Sequence, residues 1–171
     1  MVIDIKNIKN IAFSALFTAL MVAFSLMYIP LTVPITLQTF AVFLSLLVLG
    51  SKWGFVSVAT YMLLGFVGLP VFSGFRSGPS ALLSPTGGYL IGLLLICLTY
   101  ALLDKLFKGK YKRISLFLGL LICYLAGSFW YMLFSGEGSL WAVFSVCVAP
   151  FIIPDIVKLI FAFIIAKRIG K

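Results

Sequence analysis

Long apolar runs dominate this sequence and restrict the chain to a membrane fold. Six hydrophobic segments can be placed, at residues 8–29, 35–50, 53–69, 87–107, 113–134 and 141–167. A bilayer core takes about 20 helical residues per crossing. Of the 171 residues, 63% are hydrophobic and only 10% are charged, whereas about a quarter of a soluble domain is charged. We therefore predict an all-α polytopic membrane protein, with residues 1–171 forming a single domain of six transmembrane helices.

The positive charges are distributed unevenly between the predicted loops. If the amino terminus is cytoplasmic, Arg76 falls outside and Lys158 within the sixth helix, while the other eleven of the thirteen cations fall inside: Lys6, Lys9, Lys52, Lys105, Lys108, Lys110, Lys112, Arg113, Lys167, Arg168 and Lys171. This distribution satisfies the positive-inside rule. We expect both termini in the cytoplasm and a location in the cell (cytoplasmic) membrane. The net charge of +9 then reflects topology and anionic lipid, not nucleic-acid binding.

Several kinds of site are excluded by residues that the sequence lacks. There is no histidine, so histidine-based metal sites and catalytic triads are excluded. There is no GxxxxGK[ST] phosphate loop, so the chain cannot by itself use ATP. The cysteines, at 97, 123 and 147, lie far apart in apolar runs and are predicted to be buried structural thiols. We expect no metal and no cofactor.

Asp155 and Lys158 are the ionisable residues that most need an explanation. Their spacing of three residues places them on one helix face. If Lys167 marks the cytoplasmic end of the helix, Lys158 lies about 13 Å and Asp155 about 18 Å deeper. Charges at such depth are costly unless they are paired or face a polar cavity. The pair either faces a ligand or forms a self-satisfied ion pair that fixes helix packing. Pro154 is expected to start or break the helix, which would place the Asp155 carboxylate near a helix amino end.

A long stretch between the third and fourth segments is the first of three further candidate features. Residues 69–86 contain three prolines and two glycines, and connections of this length are often functional. Arg76 within this stretch is either a ligand contact or an ordinary surface cation.

Two polar groups lie at the predicted outer ends of helices. Gln38 stands in an otherwise apolar stretch and needs hydrogen-bond partners, either in a pocket or on a neighbouring helix. The second group is the run of Thr86, Gly87, Gly88 and Tyr89. Its glycines permit close backbone approach, which suits a ligand that contacts main-chain amides, although a plain turn has the same pattern.

Small residues recur at every fourth position of the first segment, at Ala15, Ala19 and Ala23. Such a stripe allows another helix to approach closely. The approaching helix belongs either to this chain or to a partner.

Four motifs, in order along the chain, resemble those of the BioY family, the biotin-specific S components of energy-coupling factor (ECF) transporters. They are residues 33–40 (VPITLQTF), 65–72 (GFVGLPVF), 85–90 (PTGGYL) and 150–158, which end in Asp-x-x-Lys. The resemblance implies an outward-facing site for biotin, the transported ligand. It also implies association with a transmembrane coupling subunit and two cytoplasmic ATPase subunits, the alternative being that the protein works alone or as a dimer. The small-residue stripe, with Ala15 and Ala19, would contact the coupling subunit.

The resemblance also implies roles for the candidate residues. Asp155 would accept a ureido N–H of biotin, and either Arg76 or Lys158 would meet its carboxylate. The full expected substrate-binding set is Gln38, Arg76, Thr86, Gly87, Gly88, Tyr89, Asp155 and Lys158. Three competing functions are an S component for another vitamin, a membrane-embedded enzyme and a channel. An enzyme is not favoured, because no second carboxylate or nucleophile–base pair accompanies Asp155 and Lys158. A channel is not favoured, because no helix carries a polar stripe.

Overall fold

Helices make up most of the chain in the computed structural model, which describes residues 5–169. Lys171, counted above among the cytoplasmic cations, lies outside these residues. Two short antiparallel strands, β1 (Tyr28–Ile29) and β2 (Ile35–Thr36), connect the first two helices. A 3-10 turn spans Ser73–Phe75. The helices are α1 (Ile5–Leu26), α2 (Gln38–Phe66), α3 (Gly78–Leu82), α4 (Gly87–Phe107), α5 (Lys112–Ser135), α6 (Leu140–Cys147) and α7 (Ala149–Ile169).

Five helical stretches are long and apolar enough to cross a membrane. Large apolar side chains on their surfaces are exposed, for example Leu125 at 72% and Ile153 at 75%. Such surfaces suit a lipid environment and agree with the predicted membrane fold. The five stretches are Asn7–Leu26, Gln38–Phe66, Gly87–Phe107, Lys112–Ser135 and Leu140–Ile169.

The 29-residue helix α2 is a hairpin of two arms that meet at Gly50. This glycine has φ 78° and ψ 177°, which no helix contains. A Cβ atom on Gly54 would lie 2.9 Å from the Cα atom of Leu46, although residues eight apart in a straight helix are separated by about 12 Å. The first arm (residues 38–49) and the second arm (residues 51–66) therefore pack side by side. They correspond to the hydrophobic segments predicted at 35–50 and 53–69.

Helix α1 packs along the second arm of α2 through small hydroxyl side chains. The Ser14 hydroxyl donates to the Trp53 carbonyl at 3.2 Å, and the Thr18 hydroxyl donates to the Ser57 carbonyl at 3.0 Å. In both bonds the partners are 39 residues apart in the chain. Moving forward along α1 therefore means moving forward along the second arm, so the two helices run in the same direction. We call this contact the α1–α2 seam.

Helix α7 runs in the same direction as the first arm of α2. Near the start of both elements, Thr39 contacts Asp155. Further along, Leu47 and Lys167 border one surface depression. Since the two arms of α2 are antiparallel, α7 is antiparallel to α1. Ile5 and Ile169 therefore lie at one end of the bundle, called here the terminal end; the opposite end is the cavity end. Which side of the membrane each end faces stays a prediction.

Helices α4 and α5 approach each other closely because glycines remove the side chains between them. A Cβ atom on Gly88 would overlap Trp130, and one on Gly92 would overlap Cys123. On the opposite helix, a Cβ atom on Gly119 would lie 3.1 Å from the Cα atom of Ile96, a tight contact. Small residues at such positions let membrane helices pack backbone to backbone.

The last hydrophobic segment is broken at Val148. The prediction that Pro154 starts or breaks the helix is wrong. Val148 has φ −124° and ψ −54°, which separates α6 from α7. Pro154 lies inside α7, which begins at Ala149. A proline only six residues into a helix costs a single backbone hydrogen bond, that to the Pro150 carbonyl. Asp155 therefore does not lie at a helix amino end, and its carboxylate is stabilised by side chains instead.

Candidate functional site

A cavity lies at the cavity end of the bundle, between α2, α4, α5 and α7. The loop around β2 and residues 72–81 also contribute to its lining. The apolar part of its lining comprises Val33, Pro34, Phe72, Ala81, Leu90, Leu93, Leu120 and Phe151. The remainder of its lining comprises Thr36, Gln38, Thr39, Ser73, Arg76, Thr86, Tyr89, Cys123, Tyr124, Asp155 and Lys158.

Asp155 and Lys158 form an ion pair in the wall of this cavity. Their side chains are nearly buried, with the two residues 2% and 7% exposed. The Lys158 Nζ atom lies 2.7 Å from the Asp155 Oδ1 atom. Neighbouring hydroxyls from two other helices complete the network. Thr39 donates to Asp155 Oδ1 at 3.0 Å and accepts from Lys158 at 3.3 Å, while Tyr124 donates to Asp155 Oδ2 at 2.7 Å.

This network keeps hydrogen-bonding capacity that the described protein groups do not use. An ammonium has three donors and a carboxylate about four acceptor positions. Lys158 donates two hydrogen bonds, and Asp155 accepts three. One donor and about one acceptor position therefore remain within a cavity wall that also contains eight apolar side chains. Both interpretations of the pair have support. Lys158 and Asp155 bond each other, as expected of a structural ion pair, and both also border a cavity, as expected of a ligand site.

Gln38 carries a buried polar atom without a partner in the cavity wall. Its side chain is only 6% exposed, and its Nε2 atom has no hydrogen-bond partner within residues 5–169. The hydroxyls of Tyr100 and Ser128 are also buried without a partner there, but neither residue lines the cavity. A buried donor left unsatisfied costs about 1–3 kcal/mol. Gln38 lines the cavity, which agrees with one of the two interpretations of its sequence position.

Arg76 lies in a short, ordered part of the stretch that was expected to be a long loop. The Phe72 amide donates to the Arg76 carbonyl at 3.1 Å, and the Arg76 Nε–H donates to the Ser73 carbonyl at 3.1 Å. The half-buried guanidinium lines the cavity and retains donors beyond those bonded to Ser73. A guanidinium carries five N–H donors.

The GFVGLPVF motif explains how Phe72 enters the cavity wall. Gly65 on α2 lies directly beneath the Phe72 ring, and a Cβ atom there would overlap it. The Phe72 ring packs edge-on against Tyr61, with ring centroids 5.5 Å apart. Phe72 is 1% exposed. The motif therefore encodes a packing contact that holds residues 72–76 over the cavity.

The residues of the PTGGYL motif divide into two groups. Thr86 and Tyr89 line the cavity. The Tyr89 hydroxyl already donates to the Cys147 carbonyl at 2.7 Å, and its ring stacks on Phe151. Gly87 and Gly88 are buried outside the lining, where Leu82 and Trp130 occupy the space that a side chain would need. These glycines serve helix packing, and the geometry lends no support to their predicted ligand contact.

Two members of the network, Thr39 and Tyr124, were missed in the sequence. Thr39 lies within the VPITLQTF motif, next to the selected Gln38. Tyr124 lies in the middle of α5, a segment in which no ligand-contacting residue was selected from the sequence. A hydroxyl in the centre of an apolar helix requires a partner, and that requirement was the available signal.

The alanine stripe lies on the outer surface of α1. Ala15, Ala19 and Ala23 are exposed, whereas Ser14 and Thr18 form the buried face of the helix. The stripe therefore does not serve packing within the described chain. Its contact with a coupling subunit stays a prediction.

Comparison with known proteins identifies the family. The BioY family model matches residues 2–171. This chain belongs to the BioY family. No group of three or more Cys, Asp or Glu residues within positions 5–169 could hold a metal ion.

Curated relatives and a solved structure agree with this assignment. The chain is 41% identical over 162 residues to a probable biotin transporter BioY of Pyrococcus horikoshii, covering 94% of this chain and 96% of that protein. It is 42% identical over 160 residues to the biotin transporter BioY of Thermotoga maritima, covering 92% and 94%. A crystal structure of the S-component for biotin from an ECF-type ABC transporter superposes with a TM-score of 0.88 at 28% identity, covering 99% of this chain and 95% of that chain.

The predicted family and the all-α membrane fold are confirmed by these matches. The relatives are transporters, so the BioY chain described here is a multi-pass membrane protein of a transporter family and not an enzyme.

Proposed function

We propose that this BioY protein is the biotin-binding S component of an ECF-type transporter in the cell membrane, and that the cavity is its biotin site. The observation that carries the proposal is the Asp155–Lys158 network, whose hydrogen-bonding capacity is incompletely used, in the wall of a cavity that also presents apolar side chains. Buried ionisable groups within a membrane protein are functional candidates by default. The relatives' names point to the same ligand.

Biotin carries donors and acceptors that can use the remaining hydrogen-bonding positions of this cavity. Its ureido group offers N–H donors and a carbonyl acceptor side by side. Asp155 accepts a ureido N–H at its remaining acceptor position, and Lys158 donates its remaining N–H to the ureido oxygen. Hydrogen bonds that involve a charged partner are about twice as strong as neutral ones. The bicyclic ring and the valeryl chain then bury apolar surface against Phe72 and Phe151, at about 25 cal/mol per Å².

The carboxylate of biotin is assigned to Arg76 in this proposal. The charge of Lys158 is balanced by Asp155 at 2.7 Å, so the network as a whole is neutral. Arg76 is the other cation of the cavity lining, and it forms no salt bridge within residues 5–169. A ligand carboxylate therefore meets net positive charge at Arg76. Gln38 offers its unsatisfied amide as a further donor to the ligand.

In this proposal, partner subunits supply the energy for transport. The sequence has no phosphate loop, which fits a division of labour with a transmembrane coupling subunit and two cytoplasmic ATPases. The exposed stripe with Ala15 and Ala19 is the proposed contact for the coupling subunit. In the proposed orientation the cavity end faces outward, as the distribution of cations predicts.

Direct ligand identification tests the proposal. The purified protein is denatured, released small molecules are identified by mass spectrometry, and the apo protein is titrated calorimetrically with biotin, thiamine and riboflavin. We expect biotin to be released and to bind at one site per chain. Binding of thiamine or riboflavin at that site with higher affinity than biotin would contradict the proposal and indicate an S component for another vitamin.

A paired titration tests the carboxylate assignment. Wild type is expected to prefer biotin over biotinamide, which lacks the negative charge, and Arg76→Gln is expected to lose that preference. Arg113→Gln, which removes a cation outside the cavity, is the matched control and should keep it. If Arg76→Gln still discriminates between the two ligands, the carboxylate lies at Lys158.

A further inference from the structure

A cleft separates α5 from α7 on the membrane-facing surface, near the terminal end of the bundle. The two helices make few close backbone approaches to each other. The walls of the cleft are apolar along most of its length. They are formed by Ile114 and Phe117 of α5 and by Leu159, Ile160, Phe163 and Ile164 of α7.

The cleft continues at the terminal end into a basic depression. The two share Arg113, Ile114 and Phe163 among their lining residues. The guanidinium of Arg113 lies over the Phe163 ring, 5.5 Å from its centroid, and so bridges the two helices. Three exposed lysines also line this depression, namely Lys110, Lys112 and Lys167.

Few negative charges oppose these cations. The Asp104 carboxylate lies near Gly109 at the edge of the depression, where the Lys112 side chain also approaches. The four cations around the depression thus leave a local excess of positive charge beside an apolar cleft. The combination is amphipathic: one end suits an anion, and the adjoining wall suits a hydrocarbon chain.

We propose that this cleft binds one anionic phospholipid. The phosphate lies at Arg113 and the neighbouring lysines, and an acyl chain runs along the apolar wall. From Lys167 to Ile160 this wall extends about 10 Å along α7, enough for the upper part of an acyl chain. Basic pockets between transmembrane helices on the cytoplasmic side are typical sites for anionic headgroups.

Charge complementarity favours a lipid over a protein as the occupant. A second copy of the chain would bring the same cations against this depression, and like charges repel. A free phosphate ion would leave the apolar wall without a partner. An anionic lipid satisfies both parts at once.

Native mass spectrometry of the purified protein in detergent tests the headgroup. Phosphatidylglycerol and phosphatidylcholine with identical acyl chains are added in separate titrations. We expect one phosphatidylglycerol per chain to be retained preferentially. Arg113→Gln should weaken its binding about fivefold, the effect of one cation near a membrane surface. Lys52→Gln is the matched control, because Lys52 lies beside Gly50 and outside the cleft; it should bind as wild type does.

A second pair of variants tests the apolar wall. Ile160 and Phe161 are both 53% exposed on α7, but only Ile160 lines the cleft. Ile160→Trp should fill the cleft and abolish preferential lipid retention, whereas Phe161→Trp should leave it intact. Gel filtration and circular dichroism check that each variant is folded and monodisperse.

Several outcomes would overturn the proposal. Equal retention of the two lipids, or an unchanged affinity in Arg113→Gln, would mean that the cleft holds ordinary annular lipid. Binding of glycerol 3-phosphate as tightly as the lipid would remove the role of the apolar wall. A dimer that Ile160→Trp disrupts would make the surface a protein interface. None of these results bears on biotin binding, which uses the other end of the bundle.

Discussion

Two groups of buried polar side chains lie within this apolar bundle, and they differ in how completely their hydrogen bonds are satisfied. In the α1–α2 seam, Ser14 and Thr18 donate to main-chain carbonyls of α2. The Ser57 hydroxyl, on the opposite side, donates to the Trp53 carbonyl at 3.0 Å. Each of these hydroxyls has a partner within the described chain.

The cavity wall is different. Asp155 and Lys158 retain unused positions, and the Gln38 Nε2 atom has no partner within the described chain. An unsatisfied polar group is more costly in an apolar environment than in water. The comparison suggests a working rule for this protein: satisfied hydroxyls hold helices together, and unsatisfied groups around a cavity mark the place for a ligand.

The largest expected effect comes from removing the ion pair. The double variant Asp155→Asn/Lys158→Met should lose about three orders of magnitude in biotin affinity, because two charge-assisted hydrogen bonds to the ligand disappear. It should remain folded, since removing both charges leaves none unpaired. Calorimetry and thermal unfolding in detergent measure the two properties.

The single variant Lys158→Met serves as the control for this pair. It leaves the Asp155 carboxylate buried without its cation and should lower the free energy of unfolding by about 3–5 kcal/mol. A double variant that binds biotin like wild type would remove the distinction between the seam and the cavity.

The next largest effect is expected from Tyr124→Phe. This change deletes the 2.7 Å hydrogen bond to Asp155 Oδ2 and loosens the carboxylate that receives the ligand. Biotin affinity should fall about tenfold. Tyr100→Phe is the matched control, because the Tyr100 hydroxyl is buried, has no partner within the described residues and does not line the cavity. Equal affinity in both variants would show that Tyr124 has no part in the site.

A smaller loss of affinity is expected from Gln38→Leu. Its amide nitrogen bonds no described group in the protein, so the substitution should reduce biotin affinity about fivefold without lowering the stability of the apo protein. Ser128→Ala removes another buried hydroxyl without a partner within the described residues, at a position that does not line the cavity; it should leave biotin affinity unchanged and should not lower stability. A destabilised Gln38→Leu protein with normal affinity would assign Gln38 to structure and not to the ligand.

The smallest expected effect on biotin comes from the seam. Thr18→Val removes hydrogen bonds to the Ser14 and Ser57 carbonyls. It should lower the free energy of unfolding by about 1 kcal/mol and leave biotin affinity unchanged. Chemical or thermal unfolding measures the first quantity and calorimetry the second. Loss of affinity in this variant would show that the seam and the cavity are coupled.

Part of the site was predictable from spacing and part was not. Asp155 and Lys158 share a helix face because they are three residues apart, and this spacing sufficed to select them. Tyr124 is 31 residues away from Asp155 along the chain and Thr39 is 116 away. To select them from the sequence, one would have to know which face of α2 and which face of α5 is turned toward Asp155. Gly87 and Gly88 were selected for backbone freedom, but the close approach of Leu82 and Trp130 accounts for them.

The sequence by itself determined the membrane class, the hydrophobic segments and the residues whose charge needs compensation, because hydropathy and charge are properties of each residue and its near neighbours. Only the tertiary structure decided the reversal at Gly50, the uninterrupted helix through Pro154 and the identity of the groups that meet Asp155. Those features depend on how closely helices pack, which small residues such as Gly92 and Gly119 allow, and hence on contacts between distant parts of the chain.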